Sequence, residues 1–119
     1  MKNRYPAELL REAWISFLRQ RGHEVFVPER ITDAITSYRK EHNSFRWLLF
    51  VATGQVRRLC PSERRQLARE IKIAREEGQR PYVVVRFTVP NSKIVILPAE
   101  NVLETGGISS ARGGIPWFE

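Results

Sequence analysis

Apolar residues recur near the start of the chain at Leu9, Leu10, Ala13, Trp14, Phe17 and Leu18. Positions spaced i, i+4 and i+8 form one stripe of an amphipathic helix. Pro6 suits the first turn of that helix, where its missing N–H costs nothing. Gly22 supplies a stop, and Arg19 and Arg21 before it complement the negative end of the helix dipole. Trp14 lies on the apolar stripe and reads as core rather than as a platform for stacked bases. The period then falls to two. Glu24–Val27 reads as a short strand closed by Pro28, and Ile31–Tyr38 as a β-branched strand with Asp33 inside it. Arg39–Ser44 is polar and reads as a hairpin loop. Arg46–Thr53 (RWLLFVAT) is nearly all apolar, which is the pattern of a central strand covered on both faces.

Gly54–Pro61 reads as a linker, and a second helix follows over Ser62–Glu77 with Ser62 as N-cap and Gly78 as the residue after its end. Leu67, Ile71 and Ala74, with Ala68 beside them, mark its buried side. Two strands, Pro81–Thr88 (PYVVVRFT) and Lys93–Leu97 (KIVIL), flank the turn residues Pro90-Asn91-Ser92. The predicted order is therefore α-β-β-β-α-β-β. A meander followed by a crossover helix and a returning strand gives an α/β fold, a mixed sheet flanked by helices. With 119 residues the chain has the size of one domain. It is expected to occupy residues 1–104, with 105–119 as an irregular glycine- and serine-containing tail.

Charge adds a functional dimension. Sixteen Arg and four Lys against 13 acidic residues give a formal net charge of +7 and a pI near 10.3. Arginine's planar fork suits phosphate better than lysine's point charge, so DNA or RNA is the expected partner. The longest apolar run, Trp47–Ala52, is far below the roughly 18 residues of a membrane span, so no membrane role is expected. The start Met-Lys-Asn-Arg-Tyr-Pro leads into an amphipathic segment rather than an apolar leader, and one cysteine, Cys60, agrees with a reducing compartment. The expected location is cytoplasmic.

The segment Leu18-Arg-Gln-Arg-Gly-His-Glu-Val25 is similar to the "L-x-x-x-G-F-x-V" passage from first helix to first strand in archaeal Holliday-junction resolvases. Glu63-Arg-Arg-Gln-Leu-Ala-Arg-Glu-Ile, closing with Gly78-Gln-Arg-Pro-Tyr-Val-Val-Val-Arg-Phe87, resembles their crossover helix and "G-x-P-V-L-A-V-K-F" strand. Over residues 6–97 the chain thus resembles the PD-(D/E)XK nuclease superfamily. That resemblance implies a restriction-endonuclease-like fold, a homodimer, and Mg²⁺ held by Asp and Glu beside a lysine.

The family's metal-binding aspartate would correspond to Asp33. Its Glu-x-Lys would fall in Leu49-Phe-Val-Ala-Thr53, where Val51 replaces the glutamate and Thr53 the lysine. Neither side chain can ligate a hard cation or activate water. The helical glutamate would fall at Arg11, with Glu8 and Glu12 nearby. The resulting expectation is a nucleic-acid-binding, resolvase-like domain without phosphodiesterase activity and without a cofactor. Two alternatives remain open. One is an active Mg²⁺-dependent structure-specific endonuclease with a migrated site built from Asp33, Glu8 and Glu12, with Glu24 also available and Lys40 or Arg86 as the cation. The other is a protein-interaction subunit of a nucleic-acid machine that docks through Trp117 and Phe118.

Other chemistry is thin. Cys60 has no CxxC partner, His23 and His42 lack the further ligands of a zinc site, and Ser62 has no triad companions. The Gly106-Gly107 and Gly113-Gly114 pairs are not followed by a helix, which leaves a phosphate-cradling loop unsupported. The candidate binding residues are Arg39, Lys40, Arg57, Arg58, Arg64, Arg65, Arg69 and Lys72, expected to meet phosphates without reading sequence. The competing reading is a solvated helix surface, since Glu63, Glu70, Glu76 and Glu77 are interleaved with them.

Overall fold

Helix α1 (Pro6–Gln20) buries Leu10, Trp14 and Leu18, as its apolar stripe requires. It ends where Gly22 turns left-handed at φ 83°, which lets the His23 N–H reach the Leu18 carbonyl at 3.0 Å. The structure is a computed structural model that describes residues 6–30, 33–40, 43–88 and 93–109. The chain continues as β1 (Glu24–Phe26), β2 (Ile35–Arg39), β3 (Asn43–Ala52), β4 (Val56–Arg58), α2 (Pro61–Glu76), β5 (Gln79–Phe87), β6 (Lys93–Pro98), α3 (Ala99–Thr105) and β7 (Gly107–Ser109).

The main sheet has the order β1-β2-β3-β5-β6, with β3 and β5 parallel and the other pairs antiparallel. β4 and β7 form a separate two-stranded ribbon. Period-two alternation sends successive side chains of β5 to opposite faces. Val84 packs with Trp14, Leu18, Phe45 and Trp47 under α1. Val83 and Val85 pack with Leu67, Ile71 and Val102 under α2 and α3. Both faces of the central strands are thereby covered, which is why Arg46–Thr53 looks continuously apolar in sequence.

The predicted elements are all present, with shifts that have physical causes. α2 starts one residue early: Pro61 takes N1, Cys60 is the N-cap, and the Glu63 carboxylate accepts the Cys60 N–H at 3.0 Å, so Ser62 is not the cap. Gly78 does follow the end of α2, at φ 69°. The hairpin is tighter than Arg39–Ser44, because Arg39 pairs with Asn43 inside the ladder. Asp33 precedes β2 rather than lying within it, in a turn where its N–H donates to the Arg30 carbonyl at 3.1 Å. Three elements are new: β4 inside the supposed linker, and α3 and β7 near the chain's end. The residues 107–109 assigned to an irregular tail pair with β4 and bury Ile108, so they belong to the folded body. His42, Gly113, Gly114, Trp117 and Phe118 lie outside the described residues.

Candidate nucleic-acid interface

β3 is longer than its neighbour. The β2–β3 ladder ends with Ile35 opposite Trp47, so among the described residues Leu48–Ala52 continue with β5 on one side and no strand on the other. The open edge is one wall of a cleft of about 290 Å³. Ala7 and Arg11 of α1, Asp33, Arg57 of β4, and Glu63 and Gln66 of α2 complete its lining, over a floor of Ala34, Ile35 and Leu48–Val51. The Arg57 Nε–H donates to the Val51 carbonyl at 3.2 Å, so that carbonyl points to the open edge.

Arg57 is held from several directions. Its Nη1 and Nη2 donate to the two Glu63 oxygens at 3.0 and 2.6 Å, Nη1 also donates to the Arg58 carbonyl, and the guanidinium lies 5.3 Å from the Phe50 ring centroid. The Arg57 hydrogen bonds hold the Glu63 carboxyl below the usual carboxylate range, against an opposing effect of burial. Arg11 donates through Nη2 to the Pro28 carbonyl, and its Nε is buried with no hydrogen-bond partner among the described residues. Asp33, the chain's single aspartate, is exposed at the cleft.

These placements bring some sequence candidates together and separate others. Asp33 and Arg57 share the cleft with Arg11, which occupies the expected position of the helical glutamate. Val51 lines it as well. Glu8 and Glu12 are not among its lining residues, and Glu12 lies with Arg19 and Val27 on a separate shallow groove. Glu63 and Gln66 are the residues missed from sequence. The one available signal was Glu63 at the third position of α2, where a carboxylate caps the helix. Among the described residues no three His, Cys, Asp or Glu side chains are grouped closely enough to hold a metal ion.

The basic residues divide by their place along the sheet. Arg58 follows the carboxyl end of β3, and Arg64 lies over the turn at Gly106, its guanidinium about 3.5 Å from where a Cβ would stand. Arg65, Arg69 and Lys72 are exposed on α2 at i, i+4 and i+7, one stripe about 10 Å long. Arg39 and Lys40 sit at the far end of β3, roughly 30 Å from its carboxyl end at the rise of an extended strand. Of the interleaved acids, Glu63 is tied to Arg57. Glu70 is buried in a 2.6 Å ion pair with Arg46 of β3. Among the described residues, no helix is long and apolar enough to cross a membrane.

A five-stranded mixed sheet with one helix on one face and two on the other, around a parallel β3–β5 pair, defines a restriction-endonuclease-like, nuclease-type α/β fold. Among solved structures the chain is similar to Hjc, a Holliday junction resolvase of the archaeal hyperthermophile Archaeoglobus fulgidus. The TM-score is 0.63, with 13% sequence identity over 90% of this chain and 93% of that one. The likeness is one of fold. No family model and no curated protein matches the sequence.

Proposed function

We propose that the protein binds nucleic acid through the cleft and the basic side of α2, on a resolvase-like nuclease fold that does not hydrolyse phosphodiesters. The observation that carries the reading is the inward commitment of two α2 acids, Glu63 to Arg57 and Glu70 to Arg46. It works in two ways. On the outside it leaves Arg65, Arg69 and Lys72 without those two acids to neutralise them, so three cations of that stripe stand against one exposed acid, Glu76, four residues after Lys72. Inside the cleft it neutralises Glu63, so among the described residues Asp33 is the one lining carboxylate without an arginine bound to it.

That donor set does not fit Mg²⁺. A hard dication needs several anionic oxygens, and here one carboxylate shares the cleft with Arg11 and an aliphatic Val51. The Hjc neighbour is titled a Holliday junction resolvase, which makes a branched DNA the first probe for this chain. The exposed free thiol of Cys60 suits a reducing cytoplasm.

The test is a gel-shift and cleavage series on a labelled four-way DNA junction, a duplex and a single strand. Each is run with Mg²⁺ or Mn²⁺ at low and moderate salt, with Asp33→Ala in parallel. Salt-sensitive binding without cleavage is the expected result. Metal-dependent cleavage abolished by Asp33→Ala would overturn the non-hydrolytic reading. Absence of binding to all three probes would overturn the nucleic-acid reading itself.

A further inference from the structure

We infer that the cleft on the open edge of β3 takes one unpaired guanine base; this rests on the nucleic-acid reading above and names the ligand of its cleft. Among the described residues the cleft's charges cancel: Arg57 and Glu63 neutralise each other, which leaves one cation, Arg11, and one anion, Asp33. A phosphate brought here would meet the Asp33 carboxylate, and a dication would meet the Arg11 guanidinium. A neutral ligand with both donors and acceptors meets neither penalty. The floor of Ile35, Leu48, Leu49, Phe50 and Val51 is apolar, as a flat heterocycle requires. The volume of about 290 Å³ lies at the lower limit of small-ligand sites, roughly 300–1,000 Å³. One base fits within that volume.

The polar groups select among bases. Arg11 gives one Nη2 donor to the Pro28 carbonyl and its Nε is buried, which leaves Nη1 and the second Nη2 N–H as the fork for a ligand. A guanidinium fork matches the O6 and N7 acceptors of guanine, whereas adenine offers N7 beside an amino donor. The Asp33 carboxylate accepts two hydrogen bonds side by side, which matches the N1–H and N2–H₂ donors on guanine's pairing edge. Guanine alone presents an acceptor pair on one edge and a donor pair on the other. In a duplex that donor edge is already paired with cytosine, so Asp33 reads the base only when it is unpaired or turned out of the stack. The strand edge adds backbone partners. Because the Val51 carbonyl faces the cleft, the two-residue period of the strand turns the Leu49 N–H and C=O the same way.

The experiment measures the affinity of the full chain for a labelled hairpin carrying one extrahelical guanine. The comparison hairpins carry adenine, cytosine or an abasic site at that position, or are fully paired, and each is made as DNA and as RNA at one salt concentration. The guanine hairpin is expected to bind at least about tenfold more tightly than the others in one or both sugar series. Asp33→Asn, which keeps the side chain's shape at an exposed position but turns an acceptor into a donor, should reduce that ratio to near one; Arg11→Gln should reduce it in part. Equal affinities for all the hairpins would overturn the guanine site and leave general nucleic-acid binding standing. A preference that survives Asp33→Asn would overturn it as well. Failure to bind any hairpin would overturn both.

Discussion

Arg57 and Glu63 hold each other by two hydrogen bonds, and Glu63 also accepts the N–H of the α2 cap residue Cys60. One carboxylate therefore joins β4 to the start of α2. Because Arg57 lowers the Glu63 pKa from its ordinary 4.5, the ionised form is favoured in the folded state. A carboxylate whose folded pKa is depressed contributes stability that is present above the unfolded value and is lost as the pH falls through the folded one. Glu63→Gln should accordingly lower stability at pH 7 by about 1 kcal/mol, the upper range for partly solvated pairs. The difference from the wild type should shrink below pH 4.5. Urea denaturation of both proteins at pH 7 and pH 3.5 measures it. An equal difference at both pH values would mean that the glutamate acts through shape and capping rather than charge.

Elements were legible where a periodic pattern was long enough to state its face. α1 and α2 each repeat their buried positions over several turns, and β3 and β5 carry the unbroken apolar runs of strands buried on both sides. α3 was not legible, because its seven residues place only Ala99 and Val102 in the core and begin at Pro98 with no capping side chain. β4 and β7 escaped because their pairing links positions some fifty residues apart, which neither short segment states by itself. Gly78 shows how far a single residue can be read. Its left-handed φ of 69° closes α2 and turns the chain into β5, and a Cβ there would meet nothing within 4 Å. The penalty of a substitution is then purely conformational. Gly78→Ala should cost about 1 kcal/mol, the price of a left-handed residue with a side chain. A fall in the urea midpoint without a change in slope is the expected signature.

Across the whole molecule, the candidate site was legible in its parts and not in its assembly. Asp33, Arg57 and the α2 arginines could be picked out by residue type, and the resemblance read from the sequence set Val51, Thr53 and Arg11 against a nuclease's Glu, Lys and helical Glu. The cleft itself arises from the five residues by which β3 outruns β2, and where a neighbouring strand stops is not written in the longer strand's own sequence. The same applies to charge. Sequence alone interleaves Glu63 and Glu70 with the basic residues of α2, whereas the fold turns both inward against Arg57 and Arg46. The remaining stripe of Arg65, Arg69 and Lys72 should act as a set of phosphate contacts. Each such contact releases about one counterion, so the slope of log affinity against log salt counts them. Replacing all three with alanine should reduce that slope by about two to three and weaken duplex, junction and single strand alike. Arg39→Ala with Lys40→Ala, some 30 Å away along β3, separates a local stripe from a general field. If the distal pair changes the slope as much as the stripe does, nucleic acid is held by the net charge of +7 rather than by the basic side of α2.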